Sequence, residues 1–115
     1  ILVPIQCEYF ALEGLSKIDH IIHQIAASGA NPGLTLAGII MTMFDARTNL
    51  SSQVVEEVRK HFGDVVYKTH VPRTVRLGEA PSFGKPIIEY EPVGAGAIAY
   101  NALVKEFIAR HKEAP

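Results

Sequence analysis

The stretch LTLAGIIMTMF at positions 34–44 carries no charge and presents no polar face. A strand of that kind must be covered on both sides. That occurs in parallel sheets flanked by helices, not in open antiparallel ones. The rest of the chain supplies matching elements. ILVPI at 1–5 reads as a short buried strand. Positions 9–28 read as a helix, with Leu15, Ile18, Ile22 and Ile25 recurring at spacings of three and four along one apolar stripe. Gly29 and the Asn31-Pro32-Gly33 run end it. After the loop DARTNLS, a second helix is expected over 52–62, capped by Asn49 or Ser51. Arg59, Lys60 and His61 stand in its last turn and Gly63 stops it. VVYKTHV at 65–71 reads as a third strand. Residues 72–94 read as a long irregular connection punctuated by Pro72, Pro81, Pro86 and Pro92. A last helix follows over 95–111, with Tyr100, Val104, Phe107 and His111 along one side.

The order β-α-β-α-β-loop-α implies an α/β fold with a parallel sheet and helices on its faces. Ligands of such folds bind beyond the C-terminal ends of the strands. Here those ends are residues 6–8, 42–47 and 71–76. With 115 residues the chain is expected to be a single unit, residues 1–115. Its 48% hydrophobic and 20% charged content is that of a globular protein. The net charge of −1 creates no general attraction for nucleic acid or membrane, so any such binding must come from a local patch. The single cysteine, Cys7, has no internal disulfide partner, which fits a reducing, cytoplasmic setting. No apolar run is long enough to span a membrane. Because ILVPIQ is already strand-like at the first residue, the sequence reads as a piece of a longer protein. Missing neighbours of its strands would then leave apolar surface open, and self-association of the isolated piece is expected.

Two glycine-rich stretches invite a phosphate-binding reading. GEAPSFGKP, at 78–86, departs from a Walker A loop: five residues instead of four separate Gly78 from Gly84, and Pro86 stands where a hydroxyl residue should hold magnesium. GAGAIA, at 94–99, matches a dinucleotide fingerprint and opens a helix, but no strand can follow. Its ribose-binding acid would have to be Glu113. A small-residue helix start packed closely on the sheet is the better reading. His20 and His23 are three apart on a helix, opposite the apolar stripe, with no further ligands in view. Cys7 reads as a small buried residue near a strand end. More informative are two loops that follow strands, FDARTN with Arg47 and VPRTVRLGEAPSFGK with Arg73, Arg76 and Lys85. Arginine's planar fork suits phosphate. The same side chains could equally be solvated, or be partners for Asp45 and Glu79.

Taken in order, VPIQCEYFALEGL, TMFDARTNLSSQVVEEVRKHFG and VPRTVRLGEAPSFGKPIIEYEPVGAGAIAY resemble the ParA/Soj family of partitioning ATPases, from Val3 to about Phe107. GEAPSFGKP then corresponds to the family's loop after the last core strand. The resemblance implies the C-terminal portion of a P-loop NTPase-like three-layer α/β/α fold, without the half that carries the P-loop and Walker B aspartate. In the intact protein it implies ATP with Mg bound between two subunits of a homodimer, non-specific DNA binding, and regulation by a ParB-type partner protein. It also implies chromosome or plasmid segregation on the nucleoid, and no membrane attachment.

Residue by residue, it implies DNA contacts by Arg47 and Arg76, and adenine near Thr42, Met43, Pro72 and Arg73. The 115 residues alone are expected to be catalytically inactive and to hold no nucleotide tightly, since phosphoryl transfer depends on the P-loop, its lysine and Mg²⁺. Phe83 stands where the family usually has histidine, and Gly78 where serine is common. The alternative is a stand-alone, non-catalytic DNA- or protein-binding module of the same fold.

Overall fold

The computed structural model describes residues 1–111. Glu113 lies outside them. Two parallel strands, β1 (Leu2–Gln6) and β2 (Gly38–Thr42), pair in register, with Val3 opposite Ile39 and Ile5 opposite Met41. Between them runs α1 (Ala11–Ala27), and after them α2 (Asn49–Phe62). Alternation along a strand sends side chains to opposite faces. Val3, Ile5, Ile39 and Met41 accordingly share one core with Ala11 and Leu15 of α1 and with Val54, Val55 and Val58 of α2. On the opposite face the cover is only partial. Tyr67 is fully buried there, and a side chain at Gly38 would collide with its ring, but Leu2 and Pro4 are exposed and Ile40 is half-buried. The expectation that residues 34–44 form a strand covered on both sides is therefore corrected: the regular strand is shorter, and one face is only partly covered.

The third expected strand, 65–71, runs parallel to β2 but is not a regular ladder. It touches β2 at one isolated bridge, Val66 with Ile39, and a second bridge just beyond both segments joins Pro72 to Phe44. Tyr67 and Val71 donate backbone N–H groups to Ile39 and Met41 at 2.8 Å. Between them Lys68 and Thr69 donate instead to the two carboxylate oxygens of Glu106, both at 2.8 Å. A charged acceptor there replaces carbonyl acceptors and interrupts the strand.

The cap of α2 also differs from expectation. Thr48, not Asn49 or Ser51, is the N-cap, its hydroxyl accepting from Ser51 N–H at 3.3 Å. Asn49 is the first helical residue, and Ser51 is buried with its hydroxyl accepting from Asp45 N–H at 3.0 Å. Thr48→Ala is expected to cost about 1 kcal/mol, read as a lower urea midpoint with an unchanged slope.

The connection after Pro72, expected to be irregular, folds into short helices. Thr74 caps α3 (Val75–Glu79), a 3₁₀ turn covers Ala80–Phe83, and α4 spans Ile87–Tyr90. They pack against the start of α5 (Ala95–Arg110), forming a second small core of Ala80, Ile87 and Ala97. The GAGAIA stretch thus packs on this connection and not on the sheet. A Cβ on Gly96 would lie 2.9 Å from Leu77 Cγ, so a hydrogen is the only side chain that fits without displacement. Beyond this contact, Tyr100, Val104 and Phe107 of α5 remain exposed.

Candidate functional site

The C-terminal ends of β1, β2 and the 65–71 segment meet along one edge. Cys7 N–H donates to the Thr42 carbonyl at 2.9 Å, Phe44 N–H to Val71 at 3.0 Å and Arg73 N–H to Phe44 at 2.8 Å. The zipper joins three segments far apart in sequence, and it brings Thr42, Met43, Pro72 and Arg73 to one edge. The Thr42 hydroxyl bonds the Ile5 carbonyl at 3.3 Å, which turns it into the strand pair. Met43 has φ of 55°, the one positive φ outside glycine among the described residues, and its side chain is exposed. The left-handed region costs a non-glycine residue about 1–2 kcal/mol. Backbone strain of this kind is concentrated at functional edges.

Arg47, on the loop before α2, and Arg76, in the first turn of α3, both stand beyond this edge, and both are paired. The Arg47 fork binds Asp45 through Nε and Nη2, each at 3.0 Å, while its side chain remains 88% exposed. The hydrogen bonds from the Arg47 side chain and backbone, opposed by partial burial and helped by the charges of Arg47 and Arg73, lower the Asp45 pKa to about 2. Asp45 is thus ionised throughout the physiological range. Arg76 reaches Glu79 at 3.3 Å and Glu91 at 3.1 Å, and Tyr90 donates its hydroxyl to the same Glu79 oxygen at 2.7 Å. Arg73 is exposed and forms no ion pair among the described residues.

The other sequence candidates do not converge. His20 and His23 are exposed on α1, and the His23 ring bonds the Asp19 carbonyl one turn back. Among the described residues, no group of three or more His, Cys, Asp or Glu side chains is placed to hold a metal ion. Cys7 is buried at its strand end, and that burial raises its thiol pKa to about 11. Residues 80–84 of GEAPSFGKP form a 3₁₀ turn closed by Gly84 in the left-handed region, followed by a helix of only four residues. That is not the long helix a P-loop opens.

Sequence reading missed the cluster around Tyr67. Arg110 lies over its ring at 4.6 Å from the centroid, its hydroxyl meets His111 Nε2 at 3.0 Å, and Glu106 bonds Arg110 at 2.8 Å. The i,i+4 spacing of Glu106 and Arg110 was a visible signal for the last of these contacts. It missed His70 as well, which packs edge-on against Phe44 with ring centroids 3.9 Å apart.

Parallel strands, helices packed on one face and a strand-end edge built from three segments define an α/β protein of the ligand-binding type. Residues 5–87 match the family described as CobQ/CobB/MinD/ParA nucleotide binding domain. The chain is 52% identical over 109 residues to the sporulation initiation inhibitor protein Soj of Bacillus subtilis (strain 168), covering 95% of this chain and 43% of that protein. It is 48% identical over 113 residues to the chromosome partitioning protein ParA of Caulobacter vibrioides (strain NA1000 / CB15N), covering 98% of this chain and 42% of that protein. It is 48% identical over 114 residues to the chromosome-partitioning ATPase Soj of Thermus thermophilus, covering 99% of this chain and 45% of that protein. The chain belongs to the CobQ/CobB/MinD/ParA nucleotide-binding family. It spans a little over two fifths of the length of these relatives. No helix among the described residues is long and apolar enough to cross a membrane.

Proposed function

We propose that this chain is the C-terminal part of a chromosome- or plasmid-partitioning ATPase. The observation that carries the reading is the identity of about half over almost the entire chain to relatives named for chromosome partitioning. In the intact protein, ATP with Mg is held at the strand-end edge, the adenine beside Thr42, Met43, Pro72 and Arg73. The nucleotide joins two copies of the protein, and the dimer binds DNA without regard to sequence through Arg47 and Arg76. A ParB-type partner governs release, and the protein works in the cytoplasm on the nucleoid.

The arginine assignment is compatible with the acid pairs. Exposed ion pairs contribute only about 0–1 kcal/mol, so a phosphate can displace Asp45 or share the Arg76 fork with Glu79. With a net charge of −1, local arginines must supply the phosphate contacts. DNA affinity of the protein at its natural length should therefore fall steeply with salt, since each neutralised phosphate releases counterions. Because a dimer presents each arginine twice, Arg47→Ala or Arg76→Ala should flatten the slope of log affinity against log salt by about two units per dimer. Binding should weaken alike on unrelated DNA sequences, with ATP-dependent dimerisation intact. The measurement is DNA affinity across a salt series for wild type and both variants, alongside sedimentation with ATP. Unchanged slopes in both variants, or a loss traceable to failed dimerisation, would refute the assignment.

A further inference from the structure

The 3₁₀ turn Ala80–Phe83 carries a phenylalanine into solvent. Ala80 anchors the start of the turn in the second small core. Gly84 closes it in the left-handed region, its N–H on the Pro81 carbonyl at 3.0 Å. Phe83 itself is 62% exposed, so most of its ring surface stays in water. One side of the ring is supported. Tyr90 lies nearly parallel to it, with centroids 5.1 Å apart and an interplanar angle of 23°. Tyr90 is fixed in turn: its hydroxyl donates to Glu79 Oε2 at 2.7 Å, and Arg76 Nη1 donates to the same oxygen at 3.3 Å. A single carboxylate oxygen therefore couples an exposed aromatic pair to an arginine. Lys85, two residues beyond Phe83, is exposed and forms no ion pair among the described residues.

We propose that Phe83 is a stacking platform for an unpaired base of a DNA strand whose phosphates are held by Arg76 and Lys85. The inference rests on the DNA-binding reading of Arg76 and adds a preference to it, for bases exposed in a single strand over bases closed in a duplex. A duplex base shows its grooves only an edge, because both of its faces are stacked on neighbours. An unpaired base has a face free, and aromatic rings beside cations are the surface that binds such strands. Flat against flat is the contact a base makes with Phe83. A protein anchor would need a well-packed pocket around the ring instead. The acids nearby do not stand against a strand at full charge, since Glu79 and Glu91 are both paired with Arg76. Tyr90 holds the ring in place before any base arrives, so little freedom is lost on stacking. Every base has a face of this kind, so the contact is compatible with binding without regard to sequence.

The test uses the protein at its natural length with ATP, at one salt concentration, and three fluorescent probes. These are a thymine homopolymer strand, an abasic strand with the same number of phosphates, and a duplex of mixed sequence. The thymine strand should bind about tenfold more tightly than the abasic strand. Phe83→Leu keeps an apolar side chain without a ring and should erase that difference, while Phe83→Tyr should keep it. Both variants should retain wild-type circular dichroism and wild-type affinity for the duplex and the abasic strand. Arg76→Ala should weaken all three probes. Equal binding of the thymine and abasic strands by wild type would overturn the proposal. So would unchanged thymine-strand affinity in Phe83→Leu, or a loss in that variant shared by all three probes. Duplex binding with no thymine preference would sink the stacking platform and leave the DNA-binding reading standing. A thymine preference that depends on Phe83, without duplex binding, would sink that reading and leave the platform.

Discussion

Leu15→Ala should destabilise the protein at its natural length by about 3 kcal/mol, the middle of the range for truncating a buried leucine. Leu15 is 1% exposed at the centre of the α1 stripe. It shares its core with Ile39 and Met41 beneath and with Val54 and Val58 of α2 beside it. Removing the isobutyl group loses its transfer free energy and leaves a void. β2 is pinned on both edges, so its side chains cannot close in to fill that void. The urea midpoint should fall while the slope holds, since the same surface is exposed on unfolding. Ile21→Ala, on the exposed side of the same helix, should change stability by no more than about 0.5 kcal/mol. Equal effects of the two substitutions would show that α1 does not bury the face described.

Glu106→Ala should cost about 2–3 kcal/mol, the range for losing hydrogen bonds to a charged group and stranding their donors. The Glu106 carboxylate accepts the N–H groups of Lys68 and Thr69 and the Arg110 guanidinium. It thereby ties α5 to the 65–71 segment. Glu106→Gln keeps an acceptor oxygen without the charge and should lose less. Burial alone would raise the Glu106 pKa, but the N–H groups of Thr69 and Lys68, with Arg110, outweigh it and hold it below the ordinary value. A depressed folded-state pKa means the contribution is complete above the unfolded value of about 4.3 and is lost as pH falls through the folded one. Stability measured from pH 7 down to pH 3 should therefore decline more gently in Glu106→Gln than in wild type below about pH 5. Parallel curves would remove Glu106 from the acid-sensitive groups.

Much of the fold was legible because burial follows local periods. Leu15, Ile18 and Ile22 announce α1 by spacing alone, and the uncharged run around Ile39 and Met41 announces a strand within a parallel sheet. Gly63 and the cations before it announce the end of α2. The N-cap is Thr48 where Asn49 or Ser51 is expected, because all three side chains can cap. The choice fell to Asp45, whose backbone N–H takes the Ser51 hydroxyl and whose carbonyl accepts the Thr48 hydroxyl and N–H. Residues 72–94 looked irregular because four prolines mask two helices too short to show a period. Only their packing on Gly96 and Ala97 gives those turns a reason to form.

By itself the sequence determined the alternation of elements and the apolar stripes, and its phrases placed the chain in a nucleotide-binding family. All of these are written in neighbouring residues, since helix and strand periods repeat within a few positions. Tertiary structure decided which partners the polar groups take. Glu106 lies 38 positions from the Lys68 N–H it accepts. Arg76 bridges two acids from separate turns, and Tyr9 meets Leu50 across a groove. Such pairings depend on how helices are set against one another, and that setting is a sum over the whole core which no local pattern of residues encodes.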